Sequence, residues 1–164
     1  MSHELLQDIE SFLTELDRVQ DGLIALFAIK SRALHDFQAE TLVRVAAQEA
    51  LLARELTTLL ERRRALLERA RAAGLPDESL QSVAGAIGTG DQARVLERIG
   101  QAKGRSTRLR HESWTHWIIS HRCYNHYTEL LDLIAYHGKR APTYAGRFQA
   151  AGGATGGAVL DASI

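Results

Sequence analysis

The fold is decided by residues 91–137, which read DQARVLERIGQAKGRSTRLRHESWTHWIISHRCYNHYTELLDLIAYH. At 100° per residue, apolar and small side chains recur on one face at steps of four and three, with one extra step of four from Ser113 to Trp117. The face consists of Val95, Ile99, Ala102, Ser106, Leu109, Ser113, Trp117, Ser120, Tyr124, Tyr127, Leu131 and Ile134. This spacing predicts a long helix with a coiled-coil-like seam that contains a single stutter.

Two earlier stretches show the same spacing. The first seam consists of Leu5, Ile9, Phe12, Leu16, Val19, Leu23 and Leu26. The second consists of Leu42, Val45, Leu52, Leu56, Leu59, Leu66 and Ala70, and is interrupted by Glu49 and Arg63. One unbroken helix through both is an alternative, but it would be about 100 Å long and would need an equally long partner. We therefore expect a turn near residues 35–38, although no Gly or Pro marks it.

Glycine residues mark where the helices end in the remaining segments. Gly74 and Pro76 end the second helix, and residues 77–86 can form a short helix before the turn at 88–91. After residue 137, six glycines among 27 residues and the loss of helical period predict a flexible, Gly/Ala-rich tail at 138–164. The chain is thus expected to be all-α. It should form an antiparallel bundle of three long helices within residues 1–137, with a short connector helix and a Gly-rich C-terminal tail.

The three seams also predict which residues form the core. The last helix should contribute Leu109, Trp117, Tyr124 and Leu131, facing Leu16, Leu23, Leu56 and Leu59 of the first two helices. Residues 23–29 are apolar all round the first helix, so more than one neighbour should cover them.

Composition narrows the possible functions. The chain of 164 residues has no net charge, which argues against a nucleic-acid binder, and the apolar run 23–29 is too short to span a membrane. The single cysteine, Cys123, excludes an intrachain disulfide and favours a reducing, cytoplasmic setting. Residues 1–36 carry seven acids and three bases, whereas 92–140 carry four acids and nine bases. We therefore expect acidic and basic helices to lie side by side.

No chemistry-bearing motif is evident. Glu112, His116, Cys123 and His126 fall on one side of the last helix, but metal sites in bundles draw ligands from several facing helices. Cys123 near His126 lacks an orienting acid and an oxyanion pocket. We therefore predict no catalytic, cofactor-binding or metal site, and a protein that is not an enzyme.

Apolar residues off the seam are more informative. Trp114 and Ile118 are neighbours at i, i+4 on the outer side of the last helix, and Tyr136 lies on the same side. Exposed together, they would form a patch typical of a partner-binding site. The alternative is that they contact the first helix or the tail.

The combined features resemble the FlgN-like flagellar export chaperones. The resemblance begins with the Leu-rich second helix at 51–56 and 64–67 and with the Gly-Leu-Pro stop at 74–76, which Ser79 and Leu80 follow. It continues in the last helix with the Arg-Leu-Arg segment at 108–110, which leads to Trp117, and with Arg122. Its last part is the exit from Gly138 to the Pro-Thr-Tyr of 142–144. The similarity covers most of the chain, and its distinctive parts are the positions of glycine and proline and the Pro-Thr-Tyr exit.

The resemblance implies a cytoplasmic, non-enzymatic bundle without a cofactor. Such a protein binds the C-terminal region of hook-filament junction (hook-associated) proteins and delivers them to the flagellar type III export apparatus. In that family the C-terminal region recognises partners, which here suggests a partner-binding site at Trp114, Ile118, Tyr136 and Tyr144. The alternative is a structural adaptor without an export client, which self-associates into a homo-oligomer through its heptads.

Overall fold

The computed structural model describes residues 2–88 and 91–135, which form four α-helices and no strand. The helices are α1 (Ser2–His35), α2 (Ala39–Ala72), α3 (Leu80–Ile87) and α4 (Gln92–Ala135). The all-α prediction is thereby confirmed. The predicted tail at 138–164 lies outside the described residues. Within the described ranges, none of the helices combines the length and the apolar character that crossing a membrane requires.

Helix α1 packs against both other long helices, and ion pairs mark the direction of each. Between α1 and α2 the pairs include Asp8–Arg69, Glu15–Arg62 and Lys30–Glu49, and between α1 and α4 they include Glu10–Arg94 and Asp17–Arg98. Moving along α1, the partner number falls on α2 and rises on α4. Helix α1 is therefore antiparallel to α2 and parallel to α4. The acidic first helix lies beside the basic α4, as the charge distribution predicts.

The core is built around α1, and most of the buried residues of this helix lie in two adjacent heptad stripes. One stripe consists of Leu5, Phe12, Val19 and Leu26, and the other of Leu6, Leu13, Gln20 and Phe27. The remaining buried residues of α1 are Ile9, Leu16, Leu23 and Ala33. Gln20 and Phe27 contact α4, whereas Val19 lies beside Leu59 of α2. Two stripes allow one helix to bury a face against each of two neighbours. The covering expected for residues 23–29 is therefore supplied largely by α2 and α4, and only Ile29 among their large side chains is exposed, at 37%.

The core prediction is correct for five residues and wrong for three. Leu16, Leu23, Leu56, Leu59 and Leu109 are all less than 9% exposed. Trp117, Tyr124 and Leu131 are 44%, 69% and 64% exposed. The inward-facing positions of α4 continue from Ser113 to the buried His116, which is a step of three. The predicted extra step of four from Ser113 to Trp117, and with it the stutter, is therefore wrong.

The connections follow local backbone chemistry. The predicted turn between α1 and α2 is confirmed at residues 36–38, where Gln38 N donates to Ala33 O at 2.9 Å and Phe37 takes a φ of 54°. Ser79 and Ser82 form a capping box that begins α3. Gly74 and Gly88, with φ of 73° and 62°, occupy the left-handed positions that favour glycine after α2 and α3.

Candidate partner-binding surface

The candidate partner-binding surface lies on α4, and it is left uncovered because α4 is longer than the helices it packs against. Helix α4 has 44 residues and α1 has 34, about 66 Å and 51 Å of helix. Contacts between them join residues 81–89 apart, from Glu10–Arg94 at one end to Ser31–His116 at the other. His35, the last residue of α1, therefore lies at the level of about residue 120 of α4. Residues 121–135, which we call the overhang, extend beyond it.

A buried polar network fixes how far α4 projects. Gln20 is 1% exposed, and its Nε2 donates to Ala102 O at 3.1 Å and to Ser106 Oγ at 2.8 Å. Its Oε1 accepts from Arg105 Nε at 3.1 Å, and Arg105 also pairs with Asp17. Sliding α4 along α1 would leave the buried Gln20 amide unpaired, at a cost of about 1–3 kcal/mol for each unsatisfied group. The network therefore specifies a single register.

His116 forms the last layer of the core between α1 and α4. It is 5% exposed, its Nε2 is hydrogen-bonded to Ser31 Oγ at 2.8 Å, and its ring packs edge-on against Phe27 with centroids 5.0 Å apart. Burial and the nearby positive charge of Lys30 hold the pKa of His116 below its ordinary value. No described side chain partners its buried Nδ1. Beyond this layer, no residue of α4 among those described is buried.

Exposed apolar side chains are concentrated at this end of the molecule. On α4 they are Trp114, Trp117, Ile118, Ile119, Tyr124, Tyr127, Leu130, Leu131, Leu133 and Ile134, and on the α1–α2 hairpin they are Ile29, Phe37, Val43 and Leu51. All lie at or beyond the level of Leu26 on α1. The opposite end carries most of the interhelical ion pairs instead. Such a concentration of exposed apolar surface is typical of an interaction site.

Three aromatic side chains form a ladder on the outer flank of α4. Trp114 and Trp117 meet edge to face with centroids 5.4 Å apart, and Trp117 stacks on His121 at 5.3 Å with an interplanar angle of 4°. Ile118 lies beside them and is 42% exposed. Side chains held against each other lose little conformational freedom when a partner covers them. The ladder is therefore a pre-ordered apolar surface.

The structure describes two of the four predicted partner-binding residues. Trp114 is 54% exposed and Ile118 is exposed beside it, so neither is buried against α1. Tyr136 and Tyr144 lie outside the described residues. Sequence reasoning missed two residues of this surface. It assigned Trp117 to the core, and it did not include His121 among the partner-binding residues. The signal that could have found them is the spacing of 114, 117, 118 and 121, which places four side chains on one flank.

The His and Cys side chains of α4 that could bind a metal or serve in catalysis lie in different environments. His116 is directed into the core toward Ser31, whereas Cys123 is exposed. Among residues 2–88 and 91–135, no three His, Cys, Asp or Glu side chains come together as a metal-binding group. A depression between α1 and α2 is lined by Glu15, Arg18, Glu55 and Arg62, whose charges pair with one another across the helices. Comparisons of the chain with protein-family models, curated proteins and solved structures found no match.

Proposed function

We propose that this protein is a FlgN-like flagellar export chaperone. It binds the C-terminal region of hook-associated proteins in the cytoplasm and delivers them to the type III export apparatus. Its architecture is an antiparallel bundle of three long helices with a Gly-rich tail, a description supported by the opposite directions of α1 and α2. The protein acts by binding and not by catalysis.

One observation carries the proposal: Trp114 and Ile118 are exposed beside the aromatic ladder, on the part of α4 that the resemblance associates with partner recognition. Tryptophan exposed to this extent is typical of interface anchors, because its large ring contributes much area for few rotatable bonds. The sequence features at 51–67, 74–76 and 138–144 support the export role specifically.

The mechanism is recognition of an amphipathic segment. A disordered C-terminal segment of the client folds into a helix whose apolar face covers Trp114, Trp117 and Ile118. Ordering that segment costs several kcal/mol of the gross interaction energy, so the complex is selective and reversible. Reversibility suits a chaperone, which must release its client at the export apparatus.

Calorimetric titration of the full chain with C-terminal peptides of hook-associated proteins tests the proposal. Trp114→Ala should weaken binding by more than about 1 kcal/mol, because truncation removes a central aromatic anchor. Leu51→Ala is the matched control: Leu51 is 58% exposed at the same end of the molecule, but it belongs to α2 and not to the aromatic ladder, so binding should change little. Circular dichroism should report the same helical content in both variants.

Two results would contradict the proposal. If peptides from hook-associated proteins do not bind the folded chain, the export role is wrong and a self-associating adaptor becomes the better account. If they bind equally well to the wild type and to Trp114→Ala, the export role stands but the site is wrong.

A further inference from the structure

The overhang of α4 carries a second apolar surface, distinct from the aromatic ladder. At 100° per residue, the side chains within about 60° of Tyr127 continue the face that α4 buries against α1. They are Cys123, Tyr124, Tyr127, Leu130, Leu131 and Ile134 of the overhang together with Ser120 just before it, and we call them the Tyr127 face. Tyr124, Tyr127 and Ile134 are 69%, 59% and 71% exposed. The core stripe of α4 therefore continues past the end of α1 without a partner among the described residues.

Charge is confined to the other side of the overhang. Its charged residues are Arg122, Glu129 and Asp132, and all three lie about 140–160° from Tyr127 around the helix. The Tyr127 face itself contains no Asp, Glu, Lys or Arg. A two-fold interface opposes a surface to its own copy, so any charge near its centre meets a like charge. An uncharged face avoids that repulsion.

The order of residues on this face is self-complementary. When two overhangs run antiparallel with Tyr127 facing its own copy, Ser120 lies opposite Ile134, Cys123 opposite Leu131, and Tyr124 opposite Leu130. Every position on the face thereby meets another position of the same face. In this register, Ile134 of one copy reaches the level of residue 120 of the other, where α1 ends. The second copy thus covers the apolar stripe from the point at which α1 stops covering it.

We infer that the occupant of the Tyr127 face is a second copy of this chain, paired antiparallel through the two overhangs. Judged from the size and exposure of its side chains, the face can bury roughly 500 Å² in each copy, about 1,000 Å² in total. That area is near the lower limit for a specific interface, which predicts a reversible dimer. The aromatic ladder on the flank of α4 remains available, so this inference does not depend on the export role.

Sedimentation equilibrium of the full chain over a range of concentrations tests the dimer. The wild type should show a reversible monomer–dimer equilibrium. Tyr127→Lys should raise the dissociation constant at least about 30-fold, because two ammonium groups then meet at the two-fold axis. Leu133→Lys is the matched control: Leu133 is 51% exposed on the same overhang but points away from the face, so the dissociation constant should change little.

Disulfide trapping tests the direction of pairing. Cys123 is the only cysteine, and antiparallel pairing separates it from its own copy by about eight residues, or 12 Å, which is too far for a disulfide. Under mild oxidation the wild type should stay uncrosslinked, whereas Leu131→Cys should form covalent dimers through Cys123 of one copy and the new cysteine of the other. A wild type that stays monomeric at every concentration overturns the inference. So does an unchanged dissociation constant in Tyr127→Lys, or rapid Cys123–Cys123 crosslinking of the wild type.

Discussion

Phe37 occupies the left-handed backbone region at the end of α1, where glycine is the usual residue. Its φ is 54° and its side chain is 85% exposed, so packing does not offset the conformational cost. The hydrogen bond from Gln38 N to Ala33 O is typical of the glycine-capped helix end known as the Schellman motif. The turn therefore forms in spite of the residue at its strained position.

Phe37→Gly should stabilise the protein by about 0.5–1 kcal/mol, since glycine adopts this conformation without a Cβ clash but loses more chain entropy on folding. Urea denaturation measures the effect as a higher midpoint at unchanged slope. Phe37→Ala should give no such gain, because alanine keeps the Cβ. A lower midpoint in Phe37→Gly would mean that the aromatic ring contributes to stability after all.

His116 couples stability to pH at the last layer of the core. Its pKa is lowered in the folded protein, first by burial and then by Lys30, while Glu49 and Glu112 act in the opposite direction to a smaller extent. The unfolded chain therefore binds a proton near pH 6.5, which the folded chain accepts only at lower pH. Stability must rise with pH wherever the unfolded state binds more protons.

We accordingly expect the free energy of unfolding to fall as pH decreases below about 6.5. In His116→Leu this part of the pH dependence should be lost, because leucine cannot be protonated. Urea midpoints measured at closely spaced pH values in both proteins provide the test. Identical curves for the wild type and His116→Leu would show that His116 is not the group responsible.

Helix α4 has one continuous seam in two environments. Its first part is buried against α1, and its overhang is exposed. A leucine in the core of the bundle and a leucine on the overhang should therefore make very different contributions to stability. Leu56 of α2 is 7% exposed and Leu131 of α4 is 64% exposed.

Leu56→Ala should cost about 2–5 kcal/mol through lost burial and a residual cavity. Leu131→Ala should cost less than about 0.5 kcal/mol in dilute protein, as substitutions at exposed positions usually do. Chemical denaturation of both variants beside the wild type measures the difference. Equal losses would show that the overhang is packed against another part of the monomer.

How far the sequence predicts this structure can be read from α4. Steps of four and three are sufficient to predict the helix, because they depend only on local periodicity. Burial at Trp117, Tyr124 and Leu131 depends on where α1 ends relative to α4, which periodicity along α4 does not contain. Placing Trp117 in the core required a stutter, whereas the buried residue is His116, one position earlier.

Gln20 illustrates the same limit from the polar side. A single glutamine among leucines predicts an exposed position or a tolerated defect, and its role depends on Ser106 and Arg105, more than 80 residues away. Long-range polar pairs of this kind set the register between helices, and a single sequence does not show which residues pair. The register in turn determines the length of the overhang and hence the position of the candidate site.

At the scale of the whole molecule, the two ends differ in kind. At one end, α1 packs against its neighbouring helices through its buried stripes and through ion pairs such as Asp8–Arg69 and Glu10–Arg94. The other carries the exposed apolar residues, the aromatic ladder and the overhang. Under the proposed function, a bundle organised in this way keeps its fold while partners exchange at one end, because the groups that stabilise the fold are not those proposed to bind.

The most direct test of this division is amide hydrogen exchange of the full chain, alone and saturated with the C-terminal segment of a hook-associated protein, read out by mass spectrometry. We predict that the client slows exchange chiefly in peptides covering residues 111–122, with little change in the first half of α1. Protection centred on residues 2–20, or no protection at any peptide despite saturation, would contradict the assignment of the binding surface to α4.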